Sequence, residues 1–200
     1  MTGTRKLLAS LLVLGAVGSV VASGTYSAFT ATTSNSGNSF TAGTVAIVDD
    51  SGAAAALFPG LTGQLPGAAV SKCIRVRYTG SLDSSVKLFV SAGITSGDKY
   101  TLLVERGVGG TGLTDHANRN CTGFGAGGTT STAFATADLN TFPTTYAAGV
   151  DGKAAGAAWV QNDWVDYRFT ITTKDDPTEN AHTTTNPTGS FAFTWKAQNN

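Results

Sequence analysis

The chain has 200 residues, with 13 Lys plus Arg set against 13 Asp plus Glu and no net charge at pH 7. No basic cluster suggests nucleic acid or an acidic membrane surface as a partner. Charged residues make up only 13% of the chain, and Thr, Ser, Gly and Ala dominate it. A helical bundle would want more Leu, Glu and Lys, so composition points to sheets.

In chain order, the first element is a leader. Arg5 and Lys6 form a short basic stretch, and Leu7 to Ala22 follow without a charge. Small residues come next: Ala22, Ser23, Gly24, Ser27 and Ala28. That order is a cleavable secretion signal. The apolar run is about 16 residues, short of the ~20 that cross a bilayer. No later stretch is apolar for long enough to span one, so the expected mature protein is secreted and free of the membrane. Without Arg5 and Lys6 the chain carries 11 basic and 13 acidic residues, a net charge near −2.

Residues 29–38 contain Thr, Ser, Asn and Gly but neither Pro nor charge, and almost nothing apolar lies between Phe29 and Phe40. Such a segment buries too little surface to fold alone. Its Thr content suits addition to an open sheet edge, where main-chain hydrogen bonds supply the affinity. A flexible mature N-terminus stays open as the other reading.

Beyond it, period-two alternation predicts strands. One is expected around Phe40 to Val48. Ile74, Val76 and Tyr78 alternate with Arg75 and Arg77; Val86, Leu88 and Val90 with Lys87, Phe89 and Ser91; Tyr100, Leu102 and Val104 with Thr101, Leu103 and Glu105. Val165, Tyr167, Phe169 and Ile171 are expected to face a core while Asp166, Arg168, Thr170 and Thr172 face water. Phe191, Phe193 and Trp195 alternate with Ala192, Thr194 and Lys196. Pro59-Gly60, Pro66-Gly67, Gly80-Ser81 and Ser96-Gly97-Asp98 are turn signals. The Gly-rich stretch 107–131 reads as a long loop, 132–140 as a short helix capped by Thr132, and 153–158 as a helical turn or loop. One-faced strands need a second layer, so the expected fold is an all-β, antiparallel two-sheet sandwich over 39–200, with a closed barrel next.

Cys73 and Cys121 are the two cysteines. An exported pair meets an oxidising space and is expected to form a disulfide. Closing a loop of about 50 residues stabilises a fold by about 4 kcal/mol on the chain-entropy account.

Catalytic machinery is not evident. His116 lies in the Gly-rich stretch and His182 in a Thr-rich one, and neither sits in a nucleophile or zinc motif. We therefore expect no catalytic residue, no metal site and no cofactor. Asp163 with Asp166, and Asp175 and Asp176 with Glu179, form small acidic groups whose spacing matches no defined calcium loop; they read as solvated turns, as does Asp49-Asp50. Trp159 and Trp164 are either core or an exposed stacking pair for a sugar ring or a partner.

Several of these segments resemble the TasA/camelysin family of Gram-positive bacteria. The likeness rests on Ala22-Ser-Gly-Thr-Tyr-Ser-Ala-Phe-Thr30, on Gly37-Asn-Ser-Phe-Thr-Ala-Gly-Thr-Val45, on the Leu65-Pro66-Gly67 turn with Tyr78-Thr79-Gly80-Ser81, and on Phe193-Thr-Trp-Lys-Ala-Gln198. Tyr78 stands where the family carries Asn. The match covers the first 50 residues best, 65–90 next and the last strand least, with 91–188 not aligned to the family.

The resemblance implies cleavage by a SipW-type signal peptidase between Ala28 and Phe29, whereas a generic rule would cut near Ala22 or Gly24. It implies a jelly-roll-like sandwich. It also implies a biofilm-matrix fibre or cell-surface protein, a head-to-tail homopolymer in which the segment holding Phe29, Thr30, Thr32, Thr33, Asn38 and Phe40 completes a neighbour's sheet. Two alternatives remain open: a monomeric surface module binding a glycan or protein through Trp159 or Trp164, and a secreted metallopeptidase of the camelysin type. The second lacks a His-Glu-x-x-His motif.

Overall fold

The computed structural model describes residues 43–50, 57–58, 65–91, 94, 97–115, 118–154, 157–175 and 191–199. The chain divides into two units, Met1–Gly43 and Thr44–Asn200. Of the first, only Gly43 is among the described residues, so the expected leader (1–28), the segment 29–38 and Phe40 lie outside them.

The second unit is all-β. Its described strands are β1 (Ile47–Asp49), β2 (Ala69–Tyr78), β3 (Ser84–Val90), β4 (Tyr100–Val108), β5 (Thr129–Asp138), β6 (Val150–Asp151), β7 (Trp164–Thr173) and β8 (Phe193–Asn199). They form a five-stranded sheet in the order β1-β2-β7-β4-β5 and a three-stranded sheet in the order β6-β3-β8. Every pairing is antiparallel.

The alternation read from the sequence supplies the core between the sheets. Ile74, Val76 and Tyr78 of β2, Leu102 and Val104 of β4, and Val165, Tyr167, Phe169 and Ile171 of β7 are buried, and so are Val86, Leu88 and Val90 of β3. Aromatic rings join the layers: Phe169 meets Phe193 at 4.3 Å between centroids and Tyr167 meets Trp195 at 5.3 Å. Phe142, after a single 3-10 turn (Leu139–Thr141), packs edge-on between Phe134 at 4.8 Å and Phe193 at 5.7 Å. Such offset and edge-on contacts suit the ring quadrupoles.

Three local expectations are corrected. The stretch 132–140 is not a helix. Thr129–Asp138 pairs with β4, and Phe134 turns onto the core; ladder bonds and burial outweigh the helix preference of its alanines. β5 carries one extra residue at each of two register shifts, opposite the Leu102–Val104 and Val104–Glu105 steps of β4. The loop expected over 107–131 is shorter, because β4 runs through Val108 and β5 begins at Thr129. Of the strand expected over Phe40 to Val48, the described part is a strand only from Ile47.

The residues before β1 have another task. Thr79 and Gly80 donate their N–H groups to Ala46 O, and Ser81 and Leu82 donate theirs to Thr44 O. Thr44 N–H in turn donates to Ser81 Oγ at 2.9 Å. These bonds fasten 44–46 to the corner where the chain crosses from β2 to β3. The same corner is braced from inside by Tyr78, whose hydroxyl donates to Leu82 O and bonds Ser84 Oγ at 2.7 Å. Gly80 is required there, since a Cβ would come within 2.5 Å of both Thr44 O and Tyr78 Oη.

Candidate functional site

Two features of the sandwich stand apart from ordinary core packing. The first is an open edge. In the three-stranded sheet, β3 is flanked by β8 on one side and by the two-residue β6 on the other. Trp159 extends the β6 side: its N–H donates to Ser84 O at 2.8 Å and its carbonyl accepts from Ser84 N–H at 3.1 Å. Strand β8 has no strand on its outer side among the described residues. An edge of this kind offers unpaired N–H and C=O groups to another chain.

The second feature is a covered face. Cys73, Arg75, Asp166, Arg168 and Glu105 alternate with core residues, so their side chains lie on the outer side of the five-stranded sheet, and Gly107 stands at an outward position there. The register brings Cys73 beside Arg168 and Arg75 beside Asp166 on β2 and β7, and Glu105 beside Arg168 and Gly107 beside Asp166 on β4 and β7. Strand pattern alone would leave this face wet. Instead the loop between β4 and β5 folds back over it.

Asp166 shows the result. Expected to face water, it is fully buried. Arg75 grips its carboxylate with two bonds, Nε to Oδ1 at 2.7 Å and Nη2 to Oδ2 at 3.0 Å. The Leu113 N–H of the loop donates to Oδ2 at 2.7 Å. The Arg75 guanidinium also lies 3.8 Å over the Trp164 ring. A second bidentate pair, Arg168 with Glu105 at 2.6 and 2.7 Å, has the loop's Phe124 ring 4.6 Å from its guanidinium. The bond to Glu105 holds the Arg168 pKa up. Such fork-to-carboxylate pairs combine energy with fixed geometry.

The loop is pinned at its middle. Cys121 is bonded to Cys73, and Cys73 N–H donates to Arg119 O at 2.9 Å. The expected disulfide is thus present and ties the Gly-rich segment to β2. Gly112 explains part of the glycine content: it sits at φ 63°, and a Cβ there would strike the Arg75 guanidinium and come within 2.5 Å of Asp166 Oδ2.

The remaining predicted residues are placed as follows. Trp159 is fully buried, so it offers no stacking surface; Trp164 is half-buried with one ring face under Arg75. Asp163 and Asp166 do not form a common acidic site. Asp163 instead accepts from Lys153 Nζ at 2.7 Å and Val160 N–H at 2.8 Å. Asp50 pairs with Arg77 at 3.0 Å. Ala28, Phe29, Thr30, Thr32, Thr33, Asn38, Phe40, His116, Asp176, Glu179 and His182 lie outside the described residues. Among the described residues no three His, Cys, Asp or Glu side chains gather as metal ligands would.

The sequence reading missed the Arg75–Asp166–Leu113 cluster. The available signal was an Asp inside an otherwise regular strand, an Arg inside another, and a Gly-rich stretch with a cysteine to lay over them. No protein-family model matches the chain, and no curated protein matches it either.

Proposed function

We propose that this chain is a secreted structural subunit of an extracellular matrix fibre or surface layer, assembling when residues 29–38 of one copy add as a strand to the open sheet edge of the next. The observation that carries this reading is β8, whose outer edge has no strand partner among the described residues. The strand orders support a jelly-roll relation as well: β2-β7-β4-β5 faces β6-β3-β8, and in a complete jelly roll the first strand flanks the last. Here β1 pairs with β2 instead. On this reading a donated strand would add along the flank of β8.

The anchoring of 44–46 to the 79–82 corner also favours donation. It gives the segment that precedes Thr44 a firm root on its own subunit. Head-to-tail addition of this type need not close on itself, and where the rotation does not close it yields filaments rather than rings. The resemblance to the TasA/camelysin family adds the expectation of a SipW-type cut between Ala28 and Phe29.

Electron microscopy of the processed protein, with and without residues 29–38, tests the reading. Fibres are expected from the first and dispersed folded monomers from the second. Dispersed monomers from both would favour the surface-module alternative, and fibres that survive the deletion would remove the donor-strand mechanism. N-terminal sequencing of the secreted form should begin at Phe29.

A further inference from the structure

We propose that the β4–β5 loop is a thiol-latched cover: the Cys73–Cys121 disulfide is the catch that holds it over the Arg75–Asp166 pair, and reduction opens it while the two sheets stay folded.

The loop meets the sheet through two arms, 109–115 and 118–128. Each arm brings a single large apolar side chain, Leu113 in the first and Phe124 in the second. Leu113 is buried, whereas Phe124 is only half-buried. The remaining described side chains of the arms are Gly, Ala, Thr, Asp, Asn, Arg and Cys. So little apolar surface does not outweigh the entropy of ordering a glycine-rich segment of this length.

Polar contacts tie each arm to the other and to itself. Thr111 N–H donates to Ala126 O at 3.1 Å, and Thr114 N–H to Thr122 O at 3.1 Å. Asp115 gathers the Asn118 and Asn120 side-chain amides at 3.0 and 2.6 Å. These bonds keep the cover together as a body but do not attach it to the sheet. Attachment to the sheet includes Leu113 N–H on Asp166, Arg119 O on Cys73 N–H, a 3.4 Å contact of Arg75 Nη2 with Thr111 O, Phe124 against Arg168, and the disulfide. Only the last is covalent.

The catch can be reached from one side. Cys73 is buried, while Cys121 is half-buried. A dithiol reductant would attack the Cys121 sulfur as thiolate and expel Cys73 as the leaving thiolate. Its second thiol then attacks the mixed disulfide and releases Cys121. Two electrons and two protons pass to the protein, giving two thiols, and the reductant leaves as its own cyclic disulfide. Once open, the strip of Arg75, Asp166 and Trp164 meets water.

The experiment uses the full chain, oxidised, then treated with dithiothreitol. Arg119 is the one Lys or Arg within 109–128, so trypsin reports on the cover directly. Cleavage after Arg119 is expected to quicken at least tenfold on reduction. Amide exchange at Leu113 and Cys73 should speed up by a similar factor, with peptides from β7 (Trp164–Thr173) unchanged. A Cys73→Ser/Cys121→Ser variant should match the reduced protein. Equal protection of the cover in both states would overturn the proposal. So would loss of protection in β7 in step with the cover, which would make the disulfide a staple of the whole fold.

Discussion

Asp166 is a buried carboxylate whose charge is matched by one guanidinium and one amide. Removing one member of a buried pair strands the other, at a cost of about 3–5 kcal/mol. Asp166→Ala should therefore lose stability in that range by denaturant unfolding, while an exposed pair such as Arg77–Asp50 should change by less than about 1 kcal/mol. Tyr167 makes a different prediction. Its hydroxyl donates to Gly152 O at 2.8 Å deep in the core, and burial raises its pKa above the ordinary 10.0. The unfolded chain thus ionises first. The stability held in the neutral phenol is complete below about pH 10 and is lost as pH climbs through the folded-state value. Tyr167→Phe should flatten that part of the alkaline decline, as followed by unfolding midpoints across the range. At this scale the sequence was legible for core residues and blind to Asp166, because alternation says which side of a sheet a residue faces and nothing about what later covers that side.

Among elements, the period-two strands were readable because each has one face against the partner sheet. β2, β3, β4 and β7 follow the expected pattern closely. β5 was misread for a physical reason: Ala133, Ala135 and Ala137 favour helix locally, and pairing with β4 overrides them. The β2–β3 corner carries its own test. Tyr78→Phe removes the hydroxyl that serves Leu82 O and Ser84 Oγ, leaving buried Ser84 with its longer 3.2 Å bond to Leu82 O. The expected loss is about 1–3 kcal/mol in equilibrium unfolding. Gly112→Ala tests the cover as an element. The new methyl collides with Arg75 in a backbone state that side chains avoid, so about 1–3 kcal/mol of strain is expected, and exchange at the Leu113 amide should rise before that of β7.

For the whole molecule, the two-sheet arrangement was legible while the pairing order was not, since nothing local tells β2 to seek β7 rather than β3. That β8 has no strand on its outer side among the described residues follows from that order and appears only in three dimensions. On the proposed function, in which 29–38 serves a neighbouring subunit, deleting it should leave the unfolding free energy of the domain within about 0.5 kcal/mol of the parent, while assembly is lost in light scattering. Cutting the chain before Phe193 should do the reverse and abolish cooperative unfolding. It strips Phe193 and Trp195 from the aromatic cluster and leaves Val86, Leu88 and Val90 without their neighbouring strand.

The interleaved order also sets a timetable. Ser84 pairs with Asn199 and Ala69 with Thr172, so neither sheet can assemble from a nascent chain that has reached only its midpoint. Distant pairing of this sort is slow. A polypeptide made from its N-terminus onward would lack its second sheet until β8 is synthesised, and an incomplete chain is the form that an export channel would pass on the proposed function.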